Sequence, residues 1–183
     1  MRLLLLLLVL AAGPALAQVR PDPRKAELDH AFAALKAAPS EQEAATVEAK
    51  IRLAWQQAGS PAVLLLITRA NSDVEQGDTE GALDTLDDAL VLAPDYAEAW
   101  LSRALAKFHA GDIPGAIRDL QATLRREPRH FVALETLSHI AEAQDDWKGA
   151  LAAWEKVLEL DPRTPEGQDR LKMLRRKATG EST

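Results

Sequence analysis

The chain has 183 residues, of which 47% are hydrophobic and 27% charged, with a formal net charge of −6 and no cysteine. That is a globular composition, long enough to bury a core without staples. The lack of cysteine excludes disulfides, thiolate zinc sites, cysteine nucleophiles and acylation at an N-terminal cysteine. The acidic balance argues against a nucleic-acid partner, which needs a basic face.

The opening MRLLLLLLVLAAGPALAQ sets Arg2 before an apolar run from Leu3 to Ala12 and reaches Ala15-Leu16-Ala17 after Pro14. This is the pattern of a secretory signal cleaved after Ala17. The run falls well short of the ~20 residues a spanning helix needs, so no stable membrane anchor is expected after cleavage. Export without cysteine suits a bacterial periplasm. The expectation is therefore a periplasmic protein whose residues 1–17 are removed and whose residues 18–23 form a flexible start.

Residues 24–60 read as a helical pair. Leu28, Phe32 and Leu35 recur at helical spacing before Pro39; Ser40 with Glu43 then forms a capping box. Val47, Ile51 and Trp55 share a face of the second helix, which ends at Gly59. This pair is expected to be an N-terminal cap or a degenerate repeat, the cap being favoured.

From residue 61 a period appears. Pro94, Pro128 and Pro162 close three apolar-plus-charged runs. Ala82, Ala116 and Ala150 each precede one of these prolines, and Leu86, Leu120 and Trp154 follow the alanines by one turn. Turns recur at Gly77-Asp78, Gly111-Asp112 and Asp145-Asp146. The pattern resembles the tetratricopeptide repeat family over residues 61–164: an Ala, an apolar residue one turn later, then Pro, every 34 residues. Trp100 stands at the family's Trp column, with Leu66 and Leu134 replacing it elsewhere. Asp73, Lys107 and Ala141 occupy the Tyr column.

The resemblance implies an all-α, right-handed solenoid of helical hairpins, with repeats at about 63–96, 97–130 and 131–164. Thr164-Pro165 would start a capping helix over 165–178, carrying Leu171 and Leu174 on one face. Residues 179–183 are expected to be a disordered tail. The resemblance also implies a concave face lined by the first helix of each hairpin. It would present Leu64, Ile67 and Asn71 in the first repeat, then Glu98, Leu101, Leu105, Phe108 and His109 in the second. The third would present Glu135, His139 and Glu142. Some family members clamp a carboxylate with Lys and Asn; here only Asn71 matches. An apolar groove suits an amphipathic helix or peptide of another protein, unless the N-terminal helices with Phe32 and Trp55 fill it themselves.

Arg103 stands where the family buries a leucine. A buried charge needs a partner, and aligning the repeats internally supplies Asp119. In the third repeat the same columns hold Leu137 and Ala153, so charge stands in both columns or in neither. Arg69 in the first repeat faces Thr85, with Asp84 and Asp88 nearby. Arg103–Asp119 is thus expected to be a structural ion pair between helices.

Chemistry finds little support. The chain lacks a nucleophile elbow, a phosphate loop and a His-Glu-x-x-His helix, so no catalytic residue, metal or cofactor is expected. Glu135, His139 and Glu142 have a spacing common on exposed helices. The basic run from Arg170 to Lys177 fits a helix C-terminus whose dipole it complements. The functional expectation is a protein–protein scaffold or adaptor in the bacterial envelope. The alternative is an accessory module binding a small molecule, a metal or peptidoglycan.

Overall fold

A computed structural model of the protein describes residues 23–180. The expected signal, its cleavage site, residues 18–22 and residues 181–183 lie outside the described residues. Those described form nine helices: α1 (Pro23–Lys36), α2 (Glu41–Gln56), α3 (Pro61–Glu75), α4 (Thr79–Leu92), α5 (Ala97–His109), α6 (Ile113–Arg126), α7 (Phe131–Ala143), α8 (Trp147–Leu160) and α9 (Gly167–Thr179). Helices α3–α4, α5–α6 and α7–α8 pair as antiparallel hairpins and stack in chain order, with α9 against α8. Helix α3 packs on α5 as well as on α4. The free sides of the first helices make the inner face of an α-solenoid.

Each second helix begins in the same way. Asp78, Asp112 and Asp146 are N-caps whose carboxylates accept the backbone N–H of Gly81, Gly115 and Gly149 at 3.0, 2.9 and 2.9 Å. The cap satisfies one of the orphan amides of the first turn. It folds so tightly that a Cβ at these glycines would lie 2.4, 1.9 and 2.2 Å from an aspartate oxygen. An Asp-x-x-Gly signature therefore recurs every 34 residues, a signal that the proline and alanine columns overshadow. Just before it the chain turns through a left-handed residue: Gly77 (φ 86°), Gly111 (φ 80°) or Asp145 (φ 58°). Ser60 and Ser40 cap α3 and α2 through the amides of Val63 and Glu43.

The core runs along the stack. Ala70, Ala82, Leu86 and Ala106 fill the first interface; Leu101, Ala104, Leu120, Ala133 and Ile140 fill the second. Leu134, Trp154, Val157, Leu171 and Leu174 seal α9 onto the last hairpin. Small residues in one helix face large ones in its neighbour, which brings the backbones close and fills the space between them. Helix α9 starts at Gly167 rather than at Pro165. Thr164 to Glu166 form a turn, the Gly167 amide returning to the Thr164 carbonyl at 2.9 Å with Glu166 left-handed at φ 54°. Its helix continues to Thr179, inside the stretch expected to be tail.

The N-terminal pair departs from the expectation of a cap. It does not stack on α3–α4; it folds back across the edge of the solenoid where successive hairpins are joined. Just before α2 the Ala38 carbonyl accepts Arg163 Nε at 3.2 Å, and along the helix Glu48 lies against Asp161. Trp55 stacks on His130 at 4.1 Å between ring centroids and meets Phe131 at 5.1 Å. Beyond it the Tyr96 hydroxyl donates to the Gln56 carbonyl at 3.0 Å. Helix α2 is thus a strap laid antiparallel to the stacking direction, touching the third, second and first inter-repeat turns in sequence. The strap is sealed by Phe32, Leu35, Ala44 and Ile51 from its own side and Phe131 from the solenoid. Burying that apolar surface is what holds it there.

Candidate functional site

The charged column sits at the heart of the second hairpin. Arg103 of α5 makes a two-pronged contact with Asp119 of α6, Nε to Oδ2 at 2.8 Å and Nη2 to Oδ1 at 2.9 Å. Lys107, one turn later, reaches the same carboxylate at 2.8 Å. Arg103 also reaches back to Asp87 on α4 of the preceding hairpin. Asp119 is only 3% exposed, so its charge is held by two cations rather than by water. Sequence reasoning missed Asp87 and Lys107. Both carry a signal: Asp87 lies sixteen residues before Arg103 as Asp119 lies sixteen after, and Lys107 fills the Tyr column.

Trp100 is not buried in the manner of a core tryptophan. It stands half-buried between the guanidiniums of Arg103 (4.9 Å) and Arg126 (4.5 Å), and its indole N–H donates to the Pro94 carbonyl at 2.8 Å. Trp154 is buried and its N–H donates to the Gly167 carbonyl at 3.0 Å, tying α8 to the cap. Arg69 meets only Asp73, at 3.7 Å, and neither Asp84 nor Asp88.

The expected groove divides into an occupied part and an open one. In the third repeat Glu135 faces the strap, beside Glu48, Arg52, Asp161 and Arg170. Burial, reinforced by the Glu48 charge, pushes its carboxyl above the ordinary 4.5. Burial does the same to Glu48, with Asp161 adding to the rise and Arg52 opposing it. His139 and Glu142 are engaged by the cap: Arg170 lies 3.2 Å from His139 Nδ1 and 2.7 Å from Glu142. Burial and the Arg170 charge lower His139 below 6.5. In the second repeat Glu98 contacts His130 at 2.9 Å beneath Trp55. These four residues are part of the closure between strap, solenoid and cap, not of an open groove. Leu101 too is core.

The open part lies on α3 and the second half of α5. Asn71, Phe108 and His109 are exposed, while Leu64, Ile67 and Leu105 are half-buried. Phe108 is 37% exposed, with its ring edge-on to His109 at 6.2 Å. Such a strip can bury apolar side chains of a peptide, and it offers few charges to hold a small polar ligand. No group of three or more His, Asp or Glu side chains among the described residues is arranged to hold a metal ion. No helix among them is long and apolar enough to cross a membrane.

The basic end of α9 is largely spoken for. Besides Arg170, Lys172 pairs with Asp169 at 3.1 Å, Arg175 with Glu155 at 2.9 Å, and Lys177 lies over Trp147 at 5.1 Å.

Two family models, each described as a tetratricopeptide repeat, match residues 71–136 and 110–165. A TPR repeat-containing protein of Rhizobium etli is 35% identical over 159 residues, spanning 87% of this chain and 78% of that protein. Among solved structures, the first TPR of Spaghetti (RPAP3) bound to the HSP90 peptide SRMEEVD is similar with TM-score 0.60 and 21% identity, over 66% of this chain and 96% of that one. The TPR2B domain of yeast Sti1, in complex with pHsp70, is similar with TM-score 0.57 and 18% identity, over 67% and 100%. At these identities the structural likeness speaks for the fold.

Proposed function

The chain belongs to the tetratricopeptide repeat family, and from that premise we propose that it is an exported interaction scaffold or adaptor of the bacterial envelope. Its partner is a protein that lays an apolar peptide or amphipathic helix along the open strip of α3 and α5. A protein-interaction role is what this fold supports, since its structural neighbours include a domain bound to an HSP90 peptide and one in complex with pHsp70. The observation that carries the finer reading is the exposed Phe108 beside Leu105, in the second half of α5, beyond the Glu98 end that the strap covers. An apolar strip left open to solvent is a liability unless it is used. The envelope setting rests on the signal-like residues 1–17.

Two experiments test these parts separately. Fractionation with N-terminal sequencing should find the chain in the periplasm beginning at Gln18; an intact Met1 in the cytosol would overturn the setting. In-cell crosslinking of the tagged protein should capture a partner that a folded Leu105→Asp, Phe108→Asp double variant loses. Identical capture by both would overturn the site. The alternative of a metal or small-molecule module needs His139 and Glu142, which Arg170 already engages.

A further inference from the structure

The 34-residue register lets each first helix be compared with the others. Ala99 in α5 and Ala133 in α7 are 0% exposed, and Gly167 is buried in the same column of α9. Leu65, their counterpart in α3, is 70% exposed. Two turns on, Ala106, Ile140 and Leu174 are buried while Ser72 is exposed. In α5, α7 and α9 the preceding hairpin packs against the helix: α4 on α5, α6 on α7, α8 on α9. No described hairpin stacks before α3, because α1–α2 has gone to the turn edge instead. The Arg69 side chain is 71% exposed, whereas its counterpart Arg103 is 17% exposed and reaches back to Asp87 of the hairpin before it.

We propose that this outer face of α3 docks an acidic amphipathic helix of a partner protein, with a carboxylate for Arg69 and a small-residue gap for Leu65. Charge complementarity is read from the chain itself. Arg103 is the one arginine of this column that a preceding hairpin covers, and α4 brings Asp87 to it; Arg69 has Asp73 of its own helix at 3.7 Å and stays 71% exposed. Leu65 narrows the occupant further. The column holds Ala or Gly wherever a hairpin stacks at the internal spacing, so a leucine there needs a hole opposite it. A repeat stacked at that spacing would collide with it. The two ends of the stack also differ. Solenoids need a polar outer face on a terminal repeat; α9 obeys, exposing Lys172, Arg175 and Arg176, while α3 exposes a leucine. The α9 end of a second copy offers no match, because Lys172, Arg175 and Arg176 there carry the same sign as Arg69.

The test is a titration of the full chain, as exported, with a stapled helical peptide copying residues 79–92, the acidic helix that covers Arg103, carrying Leu83→Ala, Leu86→Ala and Leu90→Ala to open the gap that Leu65 needs. Binding is read by fluorescence anisotropy and self-association by sedimentation. The expected result is saturable binding, weakened at least about tenfold in Leu65→Glu and in Arg69→Glu. A peptide carrying Asp87→Lys should recover affinity for Arg69→Glu. Both substitutions lie on exposed positions, and circular dichroism melts check that they fold as the parent does. Three outcomes would overturn the assignment: absent or unaltered binding in both variants, loss only in Leu105→Asp with Phe108→Asp, or self-association that Leu65→Glu abolishes. The second places the peptide on the inner face, and the third gives this face to another copy of the chain.

Discussion

The second and third hairpins meet the same packing requirement by opposite means. In the second, Arg103 and Lys107 converge on a buried Asp119. In the third, the same columns hold Leu137, Ala141 and Ala153, and the hairpin closes with Leu134, Trp154 and Val157 instead. The Ser138 hydroxyl supplies the polar link there, donating to the Ala150 carbonyl at 2.9 Å. The lesson is that a position in a repeat does not carry a fixed chemistry; a pair of positions does. Charge at one column is tolerated only when the facing column answers it, since an unanswered buried charge costs several kcal/mol. The first hairpin shows the limit of the rule. Arg69 shares its column with Arg103 but stands opposite Thr85, and it escapes the requirement because no described hairpin precedes α3 to cover it.

The sharpest break would be Asp119→Ala. It strands Arg103 and Lys107 without their shared carboxylate and should cost about 2–4 kcal/mol in urea unfolding. The loss stays below that of a fully buried pair because Asp87 remains and both cations reach solvent. Combining Arg103→Leu with Asp119→Ala copies the third hairpin and should return stability to within about 1.5 kcal/mol of the parent. A double variant no better than Asp119→Ala alone would sink the pairing rule. The converse transplant is next. Leu137→Arg alone should destabilise by about 1–3 kcal/mol, and adding Ala153→Asp should recover part of it.

A smaller effect separates the hairpins by pH. Glu135 of α7 and Glu48 of the strap have carboxyls raised above 4.5 by burial. Below pH 4.5 they are protonated in folded and unfolded chains alike. As pH rises above that, the unfolded chain ionises first, so these groups subtract stability until the folded carboxyls have ionised too. Their contribution runs opposite to that of a salt-bridged carboxylate. Strap protection in hydrogen exchange should therefore weaken from pH 4.5 upward, and Glu135→Gln should flatten that slope. An unchanged slope would mean that Arg52 and Arg170 compensate the burial. The least effect belongs to Arg69→Ala, expected within about 0.5 kcal/mol of the parent. The contrast with Arg103 in the same column is the point: one arginine is a strut and the other a surface charge.

Much of the solenoid was legible in the residues themselves. Period, prolines and Asp caps act within one or two turns of chain, and their physics is local: a missing N–H, a capped amide, an apolar stripe every 3.6 residues. The Arg103–Asp119 pairing was legible too, because repetition turns a tertiary contact into a comparison between columns of one sequence. What the residues left open was every choice made by surfaces distant in the chain. Nothing local in α1–α2 says that Trp55 should stack on His130 rather than cover Leu65. Either site would bury apolar surface of Trp55, and apolar burial is non-directional. The fold decided it by shape and by specific polar contacts along the turn edge: Tyr96 to the end of α2, Arg163 to Ala38, and Arg129 to Asp29 at 2.6 Å. That one decision withdrew Glu98 and Glu135 from the inner face and left α3, among the described helices, at the head of the stack. Local chemistry set the repeat, and long-range complementarity set which of its faces stay open.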